Sequence, residues 1–458
     1  MGTELEAALD WLFQSWLRAK PRVAALEAPP GAGRDEVTRH PEVTGRLLEA
    51  LGHPEAGLEV VNVAGSKGKG STASFLASLL DALGARVGLF TGPDLLDYTE
   101  RIRLDGRAIP PGQLADLILR RLRPAVEALR LEPPLYASPV GLALLAALLW
   151  FRQEGATVAV LEHGRGARSD DVNQVPHRWA VLTPVMGEHR YELGPTLERI
   201  AWQKAAVVRP ETEAAVLARQ ERVVLEAVER EARSGRGGHP AAVDLAGRDF
   251  LWRVRERAGE GEGRLLFDLE TPWARYRGLA LRGSADFLVE NAAVAVRAAE
   301  RWLGGPLPEE AVRGALGRLR LHGRLEVLER RPLVAVDGAI HPQAAAGALA
   351  MLRRAPRPRW LIVGMPQGKE LAGTLSLLAP EAETVCLTRA RNPYLHFDLE
   401  RDRAVAREIG VTALLAPDLE AALARGRAAG AATLLIVGTQ SLVADALRLY
   451  RLDLRRLW

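Results

Sequence analysis

Leu58-Glu59-Val60-Val61-Asn62-Val63 reads as a strand, and it opens directly into the run Ala64-Gly65-Ser66-Lys67-Gly68-Lys69-Gly70-Ser71-Thr72, with a helical pattern from about Ser71 to Leu83. Strand, glycine loop and helix in that order are what a phosphate cradle requires. Backbone N–H groups of the loop can cup anionic oxygens while the positive end of the helix dipole faces the same point. The spacing is not the usual Walker A one, because Gly70 stands between Lys69 and Ser71. Lys69 is placed to contact outer phosphates and the Ser71 hydroxyl to bind Mg²⁺; the alternative is a solvent-exposed glycine and serine turn.

Further apolar runs repeat the theme. Arg86–Phe90, Thr157–Glu162 and Trp179–Thr183 look like buried parallel strands, and they alternate with helical stretches, which predicts a doubly wound, mostly parallel α/β domain. The twelve or so apolar residues from Val140 to Phe151 are too few to span a bilayer and read as a buried helix. From about Asp244 to Leu281 the pattern alternates instead, predicting a small antiparallel region with a turn at Gly259 to Gly263. Strands expected at Leu333–Val336, Trp360–Val363, Thr384–Leu387 and Thr433–Val437 then give a second, smaller Rossmann-like α/β domain. The expected organisation is residues 1–305, a linker over 306–321, and 322–458. Arg354 to Arg359, with two prolines, reads as a surface loop.

Of the 61 basic residues only five are lysines, and Lys67, Lys69 and Lys204 fall in two short segments. Where a generic charge suffices the chain uses arginine, so a retained lysine ranks as a candidate for work that needs a compact or deprotonatable amine. The formal net charge of +4 is small, and no basic block is interleaved with aromatics, which argues against nucleic-acid binding. The acidic start, the single cysteine (Cys386) and the lack of a membrane-length apolar run predict a cytoplasmic protein without a disulfide framework.

Glu162 ends an apolar strand, the position where open parallel sheets hold ligands, and it is a candidate Mg²⁺ ligand or else a solvated strand-end charge. His189, after the next strand, could join it on the same metal or be structural.

Together these segments resemble the Mur ligase superfamily, most closely its folylpolyglutamate synthase and dihydrofolate synthase branch. The family loop Gly-Thr-Asn-Gly-Lys-Gly-Ser-Thr is matched by Gly65 to Thr72 with Ser66 and Lys67 substituted; its Glu-Arg-Ile-Arg is matched by Glu100 to Arg103, with Gly106 following. Glu162, Gly164, Gly166, Arg168, Asp170 and Asn173 match a further pattern in which Ala167 replaces a glycine, and Leu193 through Ala205 match another.

The resemblance implies an ATP-dependent ligase that activates a small-molecule carboxylate as an acyl phosphate and couples it to an amino acid, glutamate first among candidates. It implies nucleotide contacts from Gly65, Ser66, Gly68, Lys69, Gly70, Ser71, Thr72, Asn291, Arg324 and Asp337. Magnesium, at two sites, would be held by Ser71, Glu162, His189 and Lys204 as a carbamate. Catalytic roles fall to Lys69, His189 and Lys204. No nucleic acid or membrane partner is implied, and the chain is expected to be a monomer or weak homo-oligomer. Segments expected near the acceptor depart from the pattern: Gly92-Pro93-Asp94-Leu95 replaces Ser-Pro-His-Leu, Gly338-Ala339-Ile340-His341-Pro342 replaces Gly-Ala-His-Asn-Pro, and no aromatic-acidic pair stands around Ser138-Pro139. A ligase acting on a non-folate acid or peptide, and a nucleotide-binding protein without turnover, are the alternatives.

Overall fold

The computed structural model describes residues 3–233, 240–258, 263–283, 286–342, 344–392 and 395–458. Its larger sheet has eight strands: β1 (Glu59–Ala64), β2 (Val87–Phe90), β3 (Ile102–Leu104), β4 (Arg107–Ala108), β5 (Val158–Glu162), β6 (Trp179–Leu182), β7 (Ala214–Leu217) and β8 (Ala242–Leu245). The spatial order is β4-β3-β2-β5-β1-β6-β7-β8; all pairs are parallel except those that β3 makes with β2 and β4. Strands β1, β2, β5 and β6 are covered on both faces, which is why they read as unbroken apolar runs. The helices Lys69–Ala82 and Phe287–Leu303 pack together on one face. On the other lies Pro139–Gln153, capped by the Ser138 hydroxyl and buried from Gly141 to Phe151, as its apolar run predicts.

An antiparallel sheet of β9 (Leu251–Ala258), β10 (Arg264–Glu270) and β11 (Arg275–Arg282) follows. The alternation is confirmed, with a correction: Asp244 belongs to parallel β8, so the antiparallel region begins later than the pattern suggested. The expected turn at Gly259 to Gly263 falls on residues 259–262, outside the described residues.

The second sheet is built from β12 (Glu326–Arg330), β13 (Leu333–Asp337), β14 (Arg359–Gly364), β15 (Thr384–Leu387), β16 (Ala413–Leu415) and β17 (Thr433–Gly438), in the order β12-β13-β17-β14-β15-β16. It is parallel apart from the edge strand β12. Arg359 corrects the surface-loop expectation: it opens β14 and is buried, its guanidinium donating to the carbonyls of Arg353, Ala355 and Glu381. Three guanidinium N–H groups of this one side chain satisfy carbonyls that a loop would have left to water.

Residues 453–458 leave the second sheet's domain and return to the first. The Leu454 carbonyl accepts from the Arg103 guanidinium at 2.7 Å and the Arg455 carbonyl from Ala108 N–H at 2.8 Å. Leu457 N–H donates to the Gly106 carbonyl, and its own carbonyl accepts from Arg320 N–H in the connection between the sheets. Trp458 lies over Gly106, where a Cβ would sit 2.8 Å from the indole, and its Nε1 donates to Asp81 at 3.0 Å. Among the described residues, no helix is long and apolar enough to cross a membrane.

Candidate active site

The register of the larger sheet builds the site. β1 pairs with β5 so that Val63 stands beside Glu162, and with β6 so that Ala64 stands beside Leu182. Three carboxyl ends therefore stop at one level, where chain connections diverge to opposite sides of β1, the position at which open α/β sheets bind ligands. The glycine loop leaves β1 there, Glu162 ends β5, and Thr183 and Pro184 follow β6.

Close approach explains the loop's composition. Gly68 has φ 87°, and a Cβ on it would meet Asn291 Oδ1 at 2.5 Å; a Cβ on Gly70 would lie 3.1 Å from Glu162 Oε2. Ser66 is tied to the β6 side by its N–H to the Pro184 carbonyl and by Met186 N–H to its hydroxyl, both at 2.9 Å. Helix Lys69–Ala82 starts at this loop, with Ser71 and Thr72 buried in its first turn.

Lys69 folds back over the loop, its Nζ 3.2 Å from the Gly65 carbonyl and 3.3 Å from that of Ser66. Asn291 Nδ2 is buried without a hydrogen-bond partner. A phosphate fits this arrangement: loop N–H groups, a helix N-terminus, an ammonium whose partners are carbonyls of its own loop, and an orphaned amide.

Glu162 is buried rather than solvated. Burial pushes its acidity toward the neutral form, opposed by Lys69, by the Gly92 N–H that donates to Oε2 at 3.0 Å, and by Arg324 from the second domain. The segment is anchored just before Gly92 by the Thr91 N–H to the Arg101 carbonyl at 2.9 Å, and just after it by Glu100, whose carboxylate accepts from the backbone N–H groups of Leu95, Leu96 and Asp97. Arg101 pairs with Asp94 at 2.6 Å, so the anion that departs from the family pattern is consumed within its own loop.

Lys204 lies in helix Leu197–Ala205 and is fully buried. Its Nζ donates to the Gly65 carbonyl at 2.8 Å and to the Arg165 carbonyl. Burial, and next the Lys69 ammonium, lower its pKa from 10.5 to about 7. Desolvation thus favours the uncharged, nucleophilic form of this amine.

His189 adopts a left-handed backbone conformation at φ 53° and is directed at Glu192, 3.7 Å away. Burial first of all lowers its pKa, against the pull of Glu188 and Glu192. The structure joins it to these carboxylates rather than to Glu162. Among the described residues, no group of three or more His, Cys, Asp or Glu side chains is arranged to hold a metal. Mg²⁺ needs no such cage: one carboxylate and a hydroxyl, with water and phosphate oxygens, satisfy it, and Glu162 beside the loop that carries Ser71 is a fitting donor set.

From the second domain, Asp337 ends β13 and accepts from Leu325 N–H and Ala339 N–H, both at 2.9 Å; burial raises its pKa to about 6. Its neighbour Arg324 acts electrostatically on both Asp337 and Glu162, bringing a cation of the second domain toward the loop of the first. His341, in the departing segment, pairs with Glu370 at 3.2 Å.

Two contributors escaped sequence reasoning. Gly92 supplies a backbone donor, which no side-chain pattern reveals. Glu188 is the carboxylate on which the site's lysines converge, with Lys67 at 3.1 Å and Lys204 at 3.9 Å. The signal was available: lysines kept close together in an arginine-rich chain need a counter-ion.

Residues 323–439 match the family described as Mur ligase, glutamate ligase domain. The chain is 30% identical over 342 residues to the dihydrofolate synthase/folylpolyglutamate synthase of Bacillus subtilis, covering 71% of this chain and 72% of that one. It is 32% identical over 413 residues to a probable bifunctional folylpolyglutamate synthase/dihydropteroate synthase of Haloferax volcanii; the match covers 88% of this chain and 47% of that longer protein. Its fold is similar to the crystal structure of Mycobacterium tuberculosis folylpolyglutamate synthase complexed with ADP and AMPPCP, with a TM-score of 0.80 and 25% identity over 91% of this chain and 96% of the other.

Proposed function

We propose, for a chain that belongs to the dihydrofolate synthase/folylpolyglutamate synthase family of ATP-dependent, ADP-forming ligases, that it adds glutamate to a folate-type carboxylate in the cytoplasm. The observation that carries this reading is the meeting of the Gly65–Ser71 loop, Glu162, Lys204 and Arg324 at the carboxyl ends of β1 and β5. A carboxylate is a poor electrophile, so coupling it to an amine requires one of its oxygens to become a leaving group. Transfer of the terminal phosphoryl group of ATP does this, and the amine then attacks the acyl carbon and expels phosphate.

Lys69, the loop N–H groups and Asn291 bind and orient the triphosphate, with Arg324 reaching it from the second domain and Asp337 near the ribose. Ser71 and Glu162 would hold Mg²⁺, with His189 and a carbamate on Lys204 serving a second ion. Bound there, Mg²⁺ supplies neutralisation of negative charge on the phosphate oxygens. Lys204 is suited to carbamate formation because its amine is neutral in part near pH 7, which arginine at the same place would not be.

The test is to follow ADP and phosphate release with Mg·ATP and a panel of pterin carboxylates, other acids, amino acids and short peptides. Release that requires a folate together with glutamate is the expected result. Release with other acid and amine pairs alone would refute the folate assignment, and ATP binding without release under any pairing would refute turnover.

A further inference from the structure

Two of the chain's five lysines, Lys67 and Lys204, approach one carboxylate, that of Glu188. Glu188 Oε2 is 3.1 Å from Lys67 Nζ, and Oε1 is 3.9 Å from Lys204 Nζ, which itself sits 2.8 Å from the Gly65 carbonyl. An anion therefore stands against the phosphate loop on the side of Lys204, in a place rich in ammonium groups.

The Lys67 side chain is 51% exposed and that of Glu188 21%. An ion pair so open to water is weak and exchangeable, unlike the buried contacts of Lys204. The two loop lysines flank the left-handed turn at Gly68. Lys69 folds inward onto the loop's own carbonyls, while Lys67 stays at the rim. Inner loop and helix start suit the phosphate nearest the helix; a rim ammonium suits the outermost one, whose oxygens carry more charge than a single carboxylate.

We propose that Lys67 is a second phosphate-binding lysine of this loop, that it contacts the terminal phosphoryl group of the nucleotide, and that Glu188 is the placeholder anion which that group displaces. The inference rests on the ATP reading above and deepens it. Lys67 exchanges one anionic partner for another, so the loop's outer cation is kept ordered until nucleotide arrives. Glu188 sets a threshold: a nucleotide lacking the terminal phosphate leaves the Lys67–Glu188 pair in place.

The experiment is calorimetric titration of the full chain, in Mg²⁺ buffer, with a non-hydrolysable ATP analogue and separately with ADP. Lys67→Gln is expected to weaken the ATP analogue about tenfold, the scale of one hydrogen bond to a charged group, and to change ADP affinity less than about twofold. Glu188→Gln is expected to tighten the analogue by about threefold, on the scale of an exposed pair that no longer has to be broken, with ADP unaffected. Equal losses for both nucleotides in Lys67→Gln, or no loss for either, would overturn the assignment of Lys67. Weaker analogue binding in Glu188→Gln would overturn the placeholder role. A wild-type protein that binds ADP and the analogue normally while Lys67→Gln behaves like it sinks this inference alone; a wild-type protein that binds neither sinks the ATP reading as well.

Discussion

Lys204 is the residue whose chemistry is most altered by its surroundings. Free in the unfolded chain it titrates near 10.5; burial, and then Lys69, bring it to about 7 in the folded protein. Below pH 7 both states carry the proton and the cost of burying the ammonium is felt in full. Between 7 and 10.5 the unfolded chain binds a proton that the folded one does not, so stability from this group rises with pH until the cost vanishes above the unfolded value. Lys204→Met, which removes the charge, is therefore expected to compare best with wild type at or below pH 7 and progressively less well toward pH 10. Urea unfolding at pH 6, 8 and 9.5, in buffers purged of CO₂, measures the difference; a constant gap would show that the amine is not desolvated. Lys204→Arg is expected to fold but to lose turnover on the order of a hundredfold, measured as phosphate release, because a guanidinium cannot form a carbamate. The scarcity of lysine in the sequence ranked this residue correctly as unusual, whereas its burial and its bond to Gly65 come from the packing of Leu197–Ala205 beneath the loop. A neighbour 139 positions away in the chain leaves no local pattern to read.

Among the elements, helix Phe287–Leu303 shows how a polar core fixes a side chain of the candidate site. Arg297 is buried and donates to Asp244 of β8 and to Glu300, each at 2.9 Å. Glu300 also accepts from the hydroxyls of Thr271 and Tyr276. This network binds the helix to the larger sheet and to the antiparallel one, and the same helix presents Asn291 to Gly68. Arg297→Ala leaves the buried Glu300 without its cation, while Asp244 keeps its pair with Arg301, and is expected to cost about 3–5 kcal/mol, read from denaturant midpoints at unchanged m-value. A loss under about 1 kcal/mol would mean that the network is hydrated and contributes as little as a surface pair. Strands and helices of this kind were legible because apolar periodicity is a local property; β1, β5, β6 and β13 lie within a residue or two of where the pattern put them. Asp244 was misassigned because a short edge strand such as β8 has too few residues to show its period. The Glu100–Arg103 motif was recognisable as a pattern, but its physical work is visible only in the fold: Glu100 collects three N–H groups of a loop, and Arg103 reaches the Leu454 carbonyl 351 positions further on.

At the scale of the whole molecule, two α/β sheets face one site, and the cation that Arg324 brings toward Glu162 belongs to the second of them. Closure of such domains over a ligand excludes water and completes a divided site. Deleting residues 454–458 is expected to broaden the distribution of distances between one spin label on each domain and to raise KM for ATP more than it lowers kcat. An unchanged distribution would assign control of domain orientation to the 319–323 connection alone. Arg103, which burial holds at a pKa of about 10, would lose its carbonyl partner in that variant. The return of the chain at Leu454–Trp458 means that the polypeptide crosses between the lobes twice, at neighbouring points joined by the bond from Arg320 to Leu457. A body held by one thread can swivel in any direction, whereas a body held at two adjacent points swings like a door on its pins, so each opening of this molecule should retrace a single arc and bring Arg324 back to the same spot.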